Sequence, residues 1–127
     1  MGQPAAKQGD KIVAVDTHIL IIGPATAAIP HPFMGQLDGA LSSDVNIEGK
    51  PAAVVGSTAT NTPSHIPLGG SFMNPPKNQG KVMMGSGTVF INGKQAARAG
   101  DTAQTCNDPA DLPVGQVVAV GTVLIGG

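Results

Sequence analysis

The chain has 127 residues, enough for one small domain and hardly for two. Only 12% of them are charged and the formal net charge is −1, which removes the electrostatic case for nucleic acid or an anionic membrane as partner. A single cysteine excludes an internal disulfide, and 41% apolar residues argue against disorder despite 18 Gly and 11 Pro.

The N-terminus, Met1-Gly2-Gln3-Pro4-Ala5, has no basic region followed by an apolar core, so synthesis in the cytoplasm and any export without a signal peptide are expected. Ala5 to Gly9 reads as a turn-forming segment. Lys11 to Val15 reads as a strand rich in β-branched residues. Asp16-Thr17-His18 follows, with Asp16 read as a turn residue or an outer partner of His18. The apolar run Ile19 to Ile22 is too short to span a membrane, and Gly23-Pro24 ends it. Pro24 to Pro32 reads as a loop or one short helix, and Phe33 to Leu41 as irregular chain. Leu68 to Gly80, with Gly69-Gly70 and Pro75-Pro76, reads as an exposed loop. Lys81 to Met84, Gln116 to Val120 and Thr122 to Ile125 read as further strands. No window holds a 3.6-residue apolar period, so the expected class is all-β with short strands.

One unit recurs three times. Thr88-Val89-Phe90-Ile91-Asn92 leads into Gly93-Lys94-Gln95-Ala96-Ala97-Arg98-Ala99-Gly100-Asp101. Asp44-Val45-Asn46-Ile47-Glu48 leads into Gly49-Lys50-Pro51-Ala52-Ala53-Val54-Val55-Gly56-Ser57. Thr122 to Gly127 supplies the strand of a third copy, and Gly2 to Asp10 supplies the rest. A unit split between the two ends describes a closed ring about a pseudo-threefold axis, with adjacent termini. Val45 and Ile47, Val89 and Ile91, and Val123 and Ile125 share one strand face, with Asn46, Phe90 and Leu124 on the other. The charges of Lys7, Lys50, Lys94 and Arg98 read as solvated, and Met34, Met73, Met83 and Met84 as packing side chains.

The same register places chemistry. His18 lies sixteen residues after Gly2, His65 sixteen after Gly49 and Cys106 thirteen after Gly93. Equivalent positions in a threefold ring meet near its axis, and His31 is the natural fourth donor. His18, His31, His65 and Cys106 form a closed set of borderline and soft donors that suits one structural zinc per chain. A chain so poor in aromatics also needs such a staple.

Pro4-Ala5-Ala6-Lys7 and Gln95-Ala96-Ala97-Arg98, the latter running on through Ala99-Gly100-Asp101, resemble the signature of PAAR-repeat proteins. The middle copy departs from it, with Val54 for the basic residue and Ser57 for the acid. The resemblance covers nearly the whole chain and implies a single PAAR-like domain over residues 1–127. It implies a small cone of short strands, with zinc held near the tip by three His and one Cys. It also implies a role as cap of a homotrimeric, VgrG-like β-helical spike, one chain per trimer. Such spikes serve type VI secretion, phage-like tails and extracellular contractile particles. Effector cargo, transient contact with a target membrane and delivery outside the cell belong to the same expectation. No spare length is expected for a toxin domain.

Two other readings compete. A zinc hydrolase keeps an open coordination position, whereas four candidates fill the sphere here. The chain also lacks a His-Glu-x-x-His segment, and Glu48 is its only Glu. The chain therefore reads as no enzyme. A carrier or adhesin built of β-repeats without metal is the other alternative, separated by metal analysis.

Overall fold

The computed structural model describes residues 2–126. Its regular elements are strands: β1 Gln3–Pro4, β2 Lys11–Ile22, β3 Ala25–Gly39, β4 Asn46–Ile47, β5 Lys50–Pro51, β6 Thr58–Asn61 and β7 Ser71–Phe72. They continue as β8 Gln79–Val82, β9 Phe90–Ile91, β10 Lys94–Gln95, β11 Thr102–Thr105, β12 Leu112–Val118 and β13 Leu124–Ile125. The all-β expectation holds: no helix occurs among the described residues.

Three two-stranded hairpins form the base. β4 pairs with β5 and β9 with β10, each closed by a two-residue turn in the left-handed region, Glu48-Gly49 and Asn92-Gly93. The third pair is β13 with β1, Ile125 opposite Gln3, so the split copy closes across the chain ends. Its outermost residue, Gly127, lies outside the described residues. The motif alanines then join the units. Ala6 N–H donates to Ala97 O, Ala97 N–H to Ala53 O and Ala53 N–H to Ala6 O, each at 3.0 Å. All three alanines are fully buried, which only a small side chain allows where three chains converge. Bridges Ala5–Arg98, Lys7–Ala52 and Val54–Ala96 repeat the same cycle one residue to each side. The threefold repeat read in the sequence is therefore a threefold ring of hydrogen bonds.

From each unit a glycine at positive φ, Gly9 at 90°, Gly56 at 98° or Gly100 at 89°, turns the chain away from the base. The strands that follow, β2, β6 and β11, are each answered by an antiparallel neighbour. Their order β12-β11-β8-β6-β3-β2 closes because β12 also pairs with β2, Gln116 opposite Val13. Six strands thus close into a small barrel around Ile12, Phe33, Leu37, Ala59, Val82, Ala103 and Val117. A second apolar cluster lies in the hairpins: Ala5, Ile47, Ala52, Val54, Ile91, Ala96 and Ile125. The strands of the barrel are unequal in length. β2 and β3 run 12 and 15 residues, and beyond the short strands only β7 joins them, Leu20 opposite Phe72.

Several expectations fail at this point. Pro24 to Pro32 is not a loop or helix, and Phe33 to Leu41 is not irregular. Both belong largely to β3, which pairs with β2 residue by residue from Ala25–Ile22 to Gln36–Lys11. Pro30 and Pro32 fit because polar backbone groups alternate along a strand. Met34 presents its N–H and C=O to Asn61 and Thr62, on the β6 side. Prolines two and four residues earlier point their missing N–H the same way, where β6 has already ended. Asp16 is no turn residue but lies inside β2, fully buried. Met34, Met73, Met83 and Met84 are exposed rather than packed, as are Ile21 and Ile22. In the hairpins only Ile47, Ile91 and Ile125 are buried, while Val45 and Val123 reach solvent.

Lys7 and Arg98 are not simply solvated either. Lys7 is buried and pairs with Asp10 at 3.1 Å, and Arg98 pairs with Asp101 at 3.1 Å. Each acid also caps its turn, accepting from Lys7 N–H or Arg98 N–H. In the middle copy Ser57 Oγ does the capping for Val54 N–H, so Val54 needs no charge to meet.

Candidate metal centre

The distal half of the barrel is polar inside. Along β2 the even-numbered residues face inward, so Asp16 and His18 stand two residues apart on one face. His31, on β3, lies opposite Asp16 in the ladder. Cys106 follows β11 directly, and His65 follows β6. Phe33 lies below the group, its ring centroid 6.1 Å from that of His65. Phe72 lies within 5.7 Å of His18 and 5.5 Å of His31, and Leu20 is fully buried one inward step beyond His18.

Between these apolar layers the donors meet. One ligand atom from each of Asp16, His18, His65 and Cys106 falls within 4.8 Å of the other three. His18 Nε2 is 3.7 Å from Cys106 Sγ. The His31 ring centroid is 5.5 Å from those of both His18 and His65. His31 Nδ1 is bonded to Ile29 O at 2.9 Å, and His65 Nδ1 accepts from the Asn61 side-chain amide at 3.3 Å, while His18 Nδ1 faces Asp108 at 3.6 Å without a hydrogen bond. His31 thus has the arrangement that outer partners impose on metal-binding histidines, its Nδ1 held by a carbonyl, whereas His65 turns Nε2–H to Asp16 Oδ2 at 2.8 Å. His31 Nε2, like His18 Nδ1, is buried with no hydrogen-bond partner.

The loops are fixed by side-chain amides. Asn61 Oδ1 accepts from Met34 N–H at 2.9 Å, and Asn78 Oδ1 accepts from His65 N–H at 2.7 Å. Asn107 Oδ1 and Asp108 Oδ2 accept from Thr17 N–H and Ile19 N–H. The electrostatics favour neutral donors before any metal binds. Burial, then the neighbouring Asp16 carboxylate, push the Cys106 thiol up to about 11. Burial, then the nearby His65, hold His18 below the ordinary imidazole range. A cleft of about 460 Å³ leads to His18 and Cys106 from solvent, between residues 74–77 and 107–111.

The family model described as PAAR motif matches residues 35–108 and, overlapping, residues 73–127. This chain belongs to the PAAR-motif family. No curated protein matches it. PAAR proteins sit on the VgrG spike of contractile injection systems as structural tip proteins, and this chain is such a spike tip. The matched residues hold two copies of the motif unit. The third is completed by the N-terminal segment, which lies outside the match and carries Asp16, His18 and His31.

The PAAR tip brings together all four donors read from the sequence. His18, His65 and Cys106 share one tight group with Asp16, and His31 stands beside it. The donor chemistry fits a metal: imidazole, thiol and carboxylate groups converge in a buried site, and two imidazole nitrogens, His18 Nδ1 and His31 Nε2, lack a hydrogen-bond partner. Asp16 was missed as an inner member of this group. The signal was its place two residues before His18 in a β-rich run, which puts both side chains on one face.

Proposed function

We propose that this PAAR tip carries one structural zinc ion and caps a homotrimeric, VgrG-like spike as a single copy per trimer. The observation that carries the stoichiometry is the cycle Ala6–Ala97–Ala53. It gives a monomer a base with three equivalent hairpins, the shape that three identical subunits can accept. His18, His31, His65 and Cys106 hold the ion; zinc would tie the ends of strands that no hydrophobic core joins. Stiffness at the apex, away from the docking base, then serves transient puncture of a target membrane. The tip is made in the cytoplasm and leaves the cell as part of the particle. Effector cargo travels attached to it.

A zinc hydrolase is the weaker reading, because Asp16, His18, His65 and Cys106 already bring donor atoms within 4.8 Å of one another and His31 stands beside them, which leaves little room for a reacting water. Native mass measurement of the tip bound to a VgrG-like spike tests the proposal. One tip per three spike subunits and one zinc per tip are expected. Three tips per trimer, or a tip that binds the spike without ever holding metal, would overturn the corresponding half.

A further inference from the structure

Asp16 is fully buried, yet no Lys or Arg among the described residues pairs with it. Its neighbours are of two kinds. Thr105 Oγ1 donates to Oδ1. Oδ2 turns instead toward two metal-type side chains, 2.8 Å from His65 Nε2 and 3.3 Å from Cys106 Sγ. A buried carboxylate whose only candidate counter-ion is an imidazole is costly, because its lost hydration is returned only in part by hydrogen bonds. The converse holds for the ion. A divalent cation bound by Cys106 thiolate and neutral imidazoles keeps one net positive charge, in a site whose residues Asp16, His18, His31 and Cys106 are at most 2% exposed. One carboxylate cancels that charge. The two deficits are equal and opposite, and they lie within one ligand group.

We propose that Asp16 is a direct ligand of the metal through Oδ2, so that the centre joins two anionic donors, Asp16 and Cys106, to the histidines and carries no net charge. This rests on the reading that the tip holds a metal. The local architecture supports it. Thr105 occupies Oδ1 and so aims Oδ2 inward, while the adjacent residue, Cys106, presents its sulfur to the same oxygen. Residues 105 and 106 thus set the carboxylate and supply the thiolate together. The added oxygen donor makes the centre harder than three imidazoles and a thiolate, so it accepts Co²⁺ and Fe²⁺ as well as Zn²⁺.

The test loads the full chain with Zn²⁺ and with Co²⁺. X-ray absorption at the zinc edge of the wild-type tip is expected to show one sulfur, imidazoles and an additional oxygen donor. Cobalt loading is expected to give a thiolate charge-transfer band in both wild type and Asp16→Asn, with the ligand-field bands displaced in the variant. A zinc shell of one sulfur and three imidazoles without oxygen, or ligand-field bands unchanged in Asp16→Asn, overturns the assignment. The wild-type measurement stands even if the variant does not fold. A tip that takes up neither metal sinks this inference together with the metal reading. A metal-loaded tip without the oxygen ligand sinks this inference alone.

Discussion

Arg98 reaches from one repeat to the next: its Nε donates to Asp101 Oδ1 at 3.1 Å and its Nη1 to Gly126 O at 2.9 Å. The motif arginine therefore ties the C-terminal end of the split copy to the intact copy at residues 88–101. Lys7, in the split copy itself, donates to Val120 O at 2.6 Å, just ahead of that copy's C-terminal strand, as well as to Asp10. Both pairs are largely sheltered from water, with side-chain exposures of 10% for Lys7 and 18% for Arg98. Arg98→Ala should lower stability by roughly 1–3 kcal/mol, the range for charge-assisted hydrogen bonds whose acceptors stay partly buried. Chemical denaturation measures this, and an unchanged midpoint would show that the motif arginine is ornamental to folding.

The open pair Ile125–Gln3 is equivalent to the closed turns Ile47-Glu48-Gly49-Lys50 and Ile91-Asn92-Gly93-Lys94. A permuted chain that joins Gly126 directly to Gly2 and opens between Asn92 and Gly93 therefore exchanges one open hairpin for another. A Gly-Gly link suits a two-residue hairpin turn. Cooperative melting and retained metal are expected of this permutant. Removal of residues 122–126 should instead abolish folding, because it strips β1 of its partner and uncovers Ile47 and Ile91. A truncated chain with native stability would show that the ring does not need its third hairpin.

The ring was legible in the sequence because its parts are local. Gly, Ala-Ala and a capping Asp or Ser recur at fixed offsets, and each has a steric or hydrogen-bonding reason at its position. The donor set was legible for the same reason, since repeat register carries His18, His65 and Cys106 to one level. β3 was not legible. Its inward face, Ile29, His31, Phe33, Gly35 and Leu37, alternates as a strand should, but Pro30 and Pro32 deny it the usual signal. Their tolerance depends on where β6 stops, which is a tertiary fact. Barrel closure through Gln116 and Val13 was equally hidden, because no local preference sets a register between distant segments. Asp16 was missed because aspartate is depleted in strands, and only its buried partners explain it there.

Metal binding should depend on pH, with a sign fixed by Cys106. With its thiol held up to about 11, the metal-free tip carries a neutral thiol at pH 7, and the metal must displace that proton. Apparent zinc affinity should rise about tenfold per pH unit across the neutral range, and zinc should leave in acid. Stability of the metal-free tip should fall on both sides. His18 is held below the ordinary imidazole value of 6.5, so the unfolded chain takes up a proton that the folded one refuses, and stability drops as pH falls through that value. Cys106 is held above the ordinary thiol value of 9.0, so the folded chain holds a proton that the unfolded one releases, and stability drops as pH rises from about 9 to about 11. In the zinc-loaded tip the thiolate is already formed, and the alkaline loss should vanish. Melting curves of both forms at pH 5, 7 and 10 test this, and identical alkaline behaviour would remove Cys106 from the centre. Cys106→Ser should likewise reduce zinc retention and lower the melting temperature of the loaded tip toward that of the free one.

Docking should depend on the hairpins rather than on charge. Phe90 and Leu124 are 57% and 59% exposed on two of them, while Asn46 takes the equivalent place on the third. Ile47, Ile91 and Ile125 close the base from within, at 6–8% exposure. A spike subunit meeting each hairpin would cover apolar surface on two of the three sides, and burial of large side chains is the main source of energy in such contacts. Phe90→Lys and Leu124→Lys, both at exposed sites, should weaken spike binding strongly while leaving melting and zinc content unchanged. Ile91→Lys should do both harms, since it places a charge in the apolar cluster of the base. Pull-down on a VgrG-like trimer separates these effects. If Phe90→Lys and Leu124→Lys bind as the wild type does, the hairpin face is not the docking surface. The partner would then have to meet some other face of the barrel.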